Sequence, residues 1–68
     1  MLNLYDVVKV KKDYPEYSLK KEYIGTVVDV INNGEAYTIE FINDQGETIE
    51  EALFTEFNEN ELILEEQK

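Results

Sequence analysis

Apolar and polar positions alternate most cleanly over residues 36–42, AYTIEFI, where Tyr37, Ile39 and Phe41 share one face and Thr38 and Glu40 the other. That period of two predicts a strand with one buried face. Residues 5–10, YDVVKV, place Val8 and Val10 on one side with Asp6 at the mouth of the same side, and predict a first strand. Residues 24–31, IGTVVDVI, are dense in β-branched side chains that fit a pleated surface better than a helix, and predict a second. Gly25 inside that run marks a bulge or a close backbone approach, and the phase shift between Val27 and Val30 fits the same bulge. Residues 47–54 carry Ile49, Ala52, Leu53 and Phe54 without alternation, so a fourth strand there must bend near Glu50 and Glu51. Leu62, Ile63 and Leu64 supply a brief closing strand.

The polar segments between these runs set the connections. Residues 11–23, KKDYPEYSLKKEY, hold the only proline and are too long for a hairpin turn, so they form a surface loop pinned by Leu19. Asn32-Asn33-Gly34-Glu35 is a hairpin turn, because Asn and Gly accept the positive φ of a type I′ turn. Asn43-Asp44-Gln45-Gly46 is a second turn, with Gly46 at its left-handed position. Asn58 followed by Glu61 resembles a capping box and predicts one helical turn before the last strand, while residues 65–68 carry no apolar side chain and should fray. Five strands, a long loop after the first and a helical turn before the last predict a single all-β domain over 1–68, a small SH3-like barrel.

Composition narrows the chemistry. A chain of 68 residues buries a small core. Without cysteine or histidine it has no disulfide framework, no thiolate chemistry and no ordinary zinc site. The absence of a leader pattern and of a long apolar run points to a cytoplasmic protein with no membrane partner. The net charge is −10 and uneven: residues 1–21 carry five lysines against three acids, and residues 22–68 thirteen acids against one lysine. Such a field repels phosphate backbones and favours basic proteins as partners.

The runs LYDVV at 4–8, LKK at 19–21, IGTVVDV at 24–30, EAYTIEF at 35–41 and GETI at 46–49 resemble a family of small bacterial proteins of unknown function. Its general form is LYDVV, then LPE, LKKGDIGTVVEV, YEVEF and DGKTI. The resemblance covers residues 4–64 and implies an SH3-like barrel. It also implies a gene set in a short operon beside another small gene, as in toxin–antitoxin or effector–immunity pairs. The chain departs from that form at Glu22, where the family has a turn glycine, and at residues 50–52, where it has an apolar strand.

No constellation points to catalysis, cofactor binding or a metal. Glu50-Glu51 is adjacent in a predicted strand, so its carboxylates would point to opposite faces. The oxygen-rich turn 43–47 lacks the loop length and closing glutamate of a calcium loop. Lysines 9, 11, 12, 20 and 21 with Tyr14, Tyr17 and Tyr23 interleaved outline an RNA-binding small barrel, opposed by the acidic remainder and by the lack of arginine. The expected function is therefore a non-catalytic acidic protein-binding module of antitoxin or immunity type. A nucleic-acid-mimicking inhibitor of a DNA-binding enzyme is the alternative. The candidate partner-binding residues are Tyr14, Pro15 and Tyr17 in the long loop, and Asp29, Glu40, Asp44, Glu47, Glu50, Glu51 and Glu56 on the strands and turns.

Overall fold

The strand expected most firmly is the one the rest packs on. In the computed structural model, which describes residues 1–67, Ala36–Phe41 forms β3 and buries Tyr37, Ile39 and Phe41 completely. Gly25–Ile31 forms β2 and pairs antiparallel with it, from Gly25 opposite Phe41 to Ile31 opposite Ala36. The intervening turn has Asn32 at φ 49°, Asn33 at 61° and Gly34 at 103°, the left-handed values that Asn and Gly tolerate. Val7–Val10 forms β1, with Asp6, Val8 and Val10 buried on one side as their spacing predicts.

The sheet order is β4-β3-β2-β1-β5, all antiparallel, where β4 is Glu56–Phe57 and β5 is Leu62–Glu66. The sheet is open: β4 and β5 stand at its two ends, whereas the strand pattern predicts a closed barrel. The reason lies in the segment before β4. Residues 47–54, expected as the fourth strand, contain a single turn of helix, α1, over Glu50–Leu53. Ile49, Ala52 and Leu53 follow one another at the three-and-four spacing of a helix face, with Ala52 fully buried, and Ala, Leu and Glu are good helix formers. What reads as a bent strand is a helical period. The residue that holds to strand form is Thr48, in an isolated bridge to Ile42, and β4 is left only two residues in which to curl.

Two further details differ from the sequence pattern. The bulge in β2 lies between Val27 and Asp29, not at Gly25. Inserting Val28 keeps both Val27 and Val30 turned toward β3's apolar face, which accounts for the phase shift. The closing strand continues through Glu65 and Glu66, which were expected to fray, because Glu66 pairs with Val7 and Glu65 meets Lys9 at 3.6 Å. Lys68, the last residue of that expected tail, lies outside the described residues. The helical turn before β5 is present at Glu59–Glu61. There the Asn58 N–H donates to Glu61 Oε1 at 2.9 Å and the Glu61 N–H donates to the Asn58 carbonyl at 3.0 Å. No helix among the described residues is long and apolar enough to cross a membrane.

Gly25 is required by close packing. A Cβ there would lie 2.6 Å from Ile39 Cγ2 and from two ring carbons of Phe41, inside van der Waals contact with side chains that are themselves fully buried. The close approach is between the β2 backbone and β3's side chains, not between two backbones. Gly25→Val is expected to lower stability in urea denaturation by about 1–3 kcal/mol, the cost of overpacking a filled core. Lys20→Gln with Lys21→Gln is expected to change it by less than about 1 kcal/mol, since both side chains are exposed.

Candidate functional site: a groove beside the long loop

The long loop between β1 and β2 is built as a clasp. Tyr14 and Leu19 exchange two backbone hydrogen bonds, at 2.8 and 3.1 Å, around a tight turn over Pro15–Tyr17. Proline at the first helical position presets φ, and Ser18 at φ 56° closes the turn. Leu19 is buried and pins the clasp to the core, as its isolation in a polar run predicts.

Tyr14 and Tyr17 do not stand free in solvent. Their rings stack at 5.9 Å, and both meet Phe57 edge-on at 5.8 and 6.4 Å. The Tyr14 hydroxyl donates to Glu61 Oε2 at 3.1 Å, and Lys12 Nζ lies 5.5 Å above the Tyr14 ring. Burial raises the Tyr14 pKa above its ordinary 10.0, and the bond to Glu61 and the nearby carboxylates push it the same way. Pro15 is the exposed member of the expected trio. Tyr23, half-buried at the loop's end, faces a groove that the sequence pattern did not single out.

The opposite wall of that groove is the segment from the end of β3 to α1. Asn43 Oδ1 accepts the N–H groups of Gln45 and Glu47 at 2.9 and 3.0 Å, and its Nδ2 donates to Glu47 Oε1 at 3.1 Å. This side chain knots the turn that Gly46, at φ 79°, completes. Thr48 Oγ1 donates to Glu40 Oε2 at 2.9 Å. Across the groove Ser18 Oγ donates to Glu51 Oε2 at 3.2 Å, tying loop to helix.

Two adjoining depressions follow. One of about 630 Å³ is lined by Ser18, Tyr23, Asn43, Glu47, Thr48, Ile49, Glu50 and Glu51. The other, of about 400 Å³, is lined by Asp13, Pro15, Ser18, Leu19, Lys20 and Tyr23, so Ser18 and Tyr23 belong to both. The first carries three carboxylates and no lysine; the second is mainly apolar. The helix explains how Glu50 and Glu51 come to line one cleft, where a strand would have sent them to opposite faces.

The remaining candidates lie elsewhere. Asp29 pairs with Thr38, and Thr38 with Glu56, so these acids share a cross-strand row on the sheet's outer face; Glu40, two residues from Thr38 on β3, points the same way. Asp44 is exposed at the tip of the 43–46 turn. The ion pairs seen, the Met1 α-amino group with Glu59 at 3.4 Å and Lys9 with Glu65, involve none of the candidate acids. No group of three or more acids among the described residues is placed to hold a metal ion. Ser18, Asn43, Thr48 and Ile49 were missed as lining residues. Asn43 was legible only as turn chemistry, and nothing in the sequence marks Ser18.

The raised Tyr14 pKa gives a signed expectation. In the folded protein Tyr14 keeps its proton above pH 10, where the unfolded chain has lost it, so folding stability falls as pH rises past about 10. Tyr14→Phe is expected to flatten that alkaline loss in denaturant titrations at pH 9 to 11. An unchanged slope would mean the hydroxyl is as free to ionise folded as unfolded.

Comparison with known protein families matches residues 4–59 to a family described as a domain of unknown function, DUF4926. Neither the curated proteins nor the solved structures give a match.

Proposed function

From the premise that the chain belongs to the DUF4926 family, we propose that it is a non-catalytic module that binds a basic protein partner. The observation that carries this reading is the groove face: Glu47, Glu50 and Glu51 line one cleft with no cation among its walls or in the ion pairs seen. Exposed carboxylates that have no ion-pair partner among the described residues set up a field that steers a cationic surface toward them. The groove is rimmed by turns held through side-chain hydrogen bonds, which supports a preformed binding surface.

The partner, on this reading, is the product of a neighbouring gene, held in check or scaffolded as by an antitoxin or immunity protein. The strand order, with β1 pairing β2 and β5 while β2, β3 and β4 form a meander, supports an SH3-like barrel as the parent architecture. A second reading draws on the outer face: Asp29 and Glu56 lie two strand spacings apart, roughly 10 Å, on one cross-strand row. Carboxylates so spaced would suit a nucleic-acid mimic that occupies the groove of a DNA-binding enzyme.

The test separates the two. Co-expression with the neighbouring gene product is expected to give a complex that weakens as salt rises and is lost when Glu47, Glu50 and Glu51 become lysine. Loss on reversing Asp29, Glu40 and Glu56 instead, with competition by DNA, would favour the mimic. Failure to co-purify at low salt, with no rescue of any growth defect the neighbour causes, would remove the antitoxin reading.

A further inference from the structure

Resting on the reading of a basic protein partner, we infer that the groove receives one extended segment carrying a lysine or arginine and, two residues away, an apolar side chain. The two depressions share Ser18 and Tyr23 as walls, so they are successive compartments of one groove. Their chemistry changes along its length. The 630 Å³ compartment has Glu47, Glu50 and Glu51 with Ile49 among its walls, and the 400 Å³ compartment has Pro15 and Leu19, with Asp13 and Lys20 also lining it.

Charge complementarity selects the occupant of the first compartment. A lysine or arginine side chain has an apolar stem and a cationic head, which matches a cleft with Ile49 and Tyr23 in its walls and carboxylates among its lining. An acidic or purely apolar side chain would leave those carboxylates facing a like charge or losing water without compensation. The second compartment offers the Pro15 ring and the sides of Leu19 and Tyr23, where an aliphatic side chain removes apolar surface from water.

Adjacency sets the spacing. The two depressions share Ser18 and Tyr23 as walls, and alternate residues of an extended chain are separated by a short step of roughly 6.7 Å. Side chains i and i+2 of such a chain also point the same way, so both can enter one groove. A helical partner would present neighbours three and four apart instead.

The probes are synthetic peptides with blocked ends, Gly-Ser-Lys-Ser-Leu-Ser-Gly and its reverse, titrated into the ¹⁵N-labelled full chain at low salt. Single replacements of Lys or Leu by Ser serve as comparisons. The expected result is that one order shifts the amides of Ser18, Tyr23, Thr48 and Ile49, and that losing either side chain weakens binding at least fivefold. Glu50→Gln with Glu51→Gln should remove the contribution of lysine while leaving that of leucine, and Pro15→Ser the converse. All three residues are exposed, so the fold survives, as an unchanged amide spectrum would verify. Shifts confined to Asp29, Glu40 and Glu56, or equal binding by the Leu-to-Ser peptide, would overturn the inference. An oligolysine control separates its failure from that of the broader reading. If oligolysine binds the outer face while neither peptide enters the groove, the acidic module stands and the two-compartment groove falls. If oligolysine fails as well, both fall.

Discussion

Phe57 is the contact on which the arrangement turns. It is buried in a strand of only two residues, yet it meets Phe41 edge-on at 5.7 Å from one side and Tyr14 and Tyr17 from the other. One ring therefore joins β3 to the long loop. The favourable edge-to-face geometry adds to the burial of apolar area, and truncating such a ring in a well-packed core costs about 3–5 kcal/mol. In a domain of this size that is comparable to the whole of its stability. Once Phe57 is seated the loop must lie over it, and with Tyr14 fixed, Leu19 and Ser18 are fixed through the clasp. The groove wall thus follows from a core contact on its far side.

A second anchor holds the opening residues. The Tyr37 hydroxyl, fully buried, accepts the Leu2 N–H at 3.0 Å and donates to Glu59 Oε1 at 3.4 Å. Asp6, equally buried, accepts the Asn3 N–H at 2.9 Å, while its own backbone carbonyl receives the Val27 N–H at 3.0 Å. These polar groups sit where an unpartnered one would cost a few kcal/mol, and each has its partner. The bends they impose leave Tyr5 at φ 71° and 62% exposed, a strained conformation for an aromatic residue. Its ring is turned outward, the side to which the alternation of Asp6, Val8 and Val10 also assigns residue 5.

The sheet was legible because its signals are local. Tyr37, Ile39 and Phe41 alternate within one strand, and Asn33-Gly34 names its own turn. The helix at Glu50–Leu53 was not, because four residues give too short a window to separate a period of 3.6 from a bent period of two. That one ambiguity carried through. It predicted a longer fourth strand, and it split Glu50 from Glu51 across two faces when both line one cleft. The groove itself was illegible for a different reason. Its walls come from residues 13–23 and 43–51, and only the tertiary seat of the loop on Phe57 brings them together.

The charge that favours a basic partner works against the fold that presents it. Thirteen acids in residues 22–68 repel one another, and in a small domain that self-repulsion takes a share of a narrow stability margin. The structure offsets part of it locally, with Glu61 on the Asn58 N–H, Glu59 on the α-amino group and Glu65 on Lys9. Among the described residues, the groove acids receive a hydroxyl donor, from Ser18 to Glu51, and an amide donor, from Asn43 to Glu47. On the proposed reading, binding and stability are then linked by mass action: a partner that neutralises Glu47, Glu50 and Glu51 stabilises the folded state in proportion to the logarithm of its concentration over its dissociation constant. The most acidic wall of the groove is also formed by its slightest secondary structure, one helical turn and a knotted loop, so it is the part that has most to gain from being held.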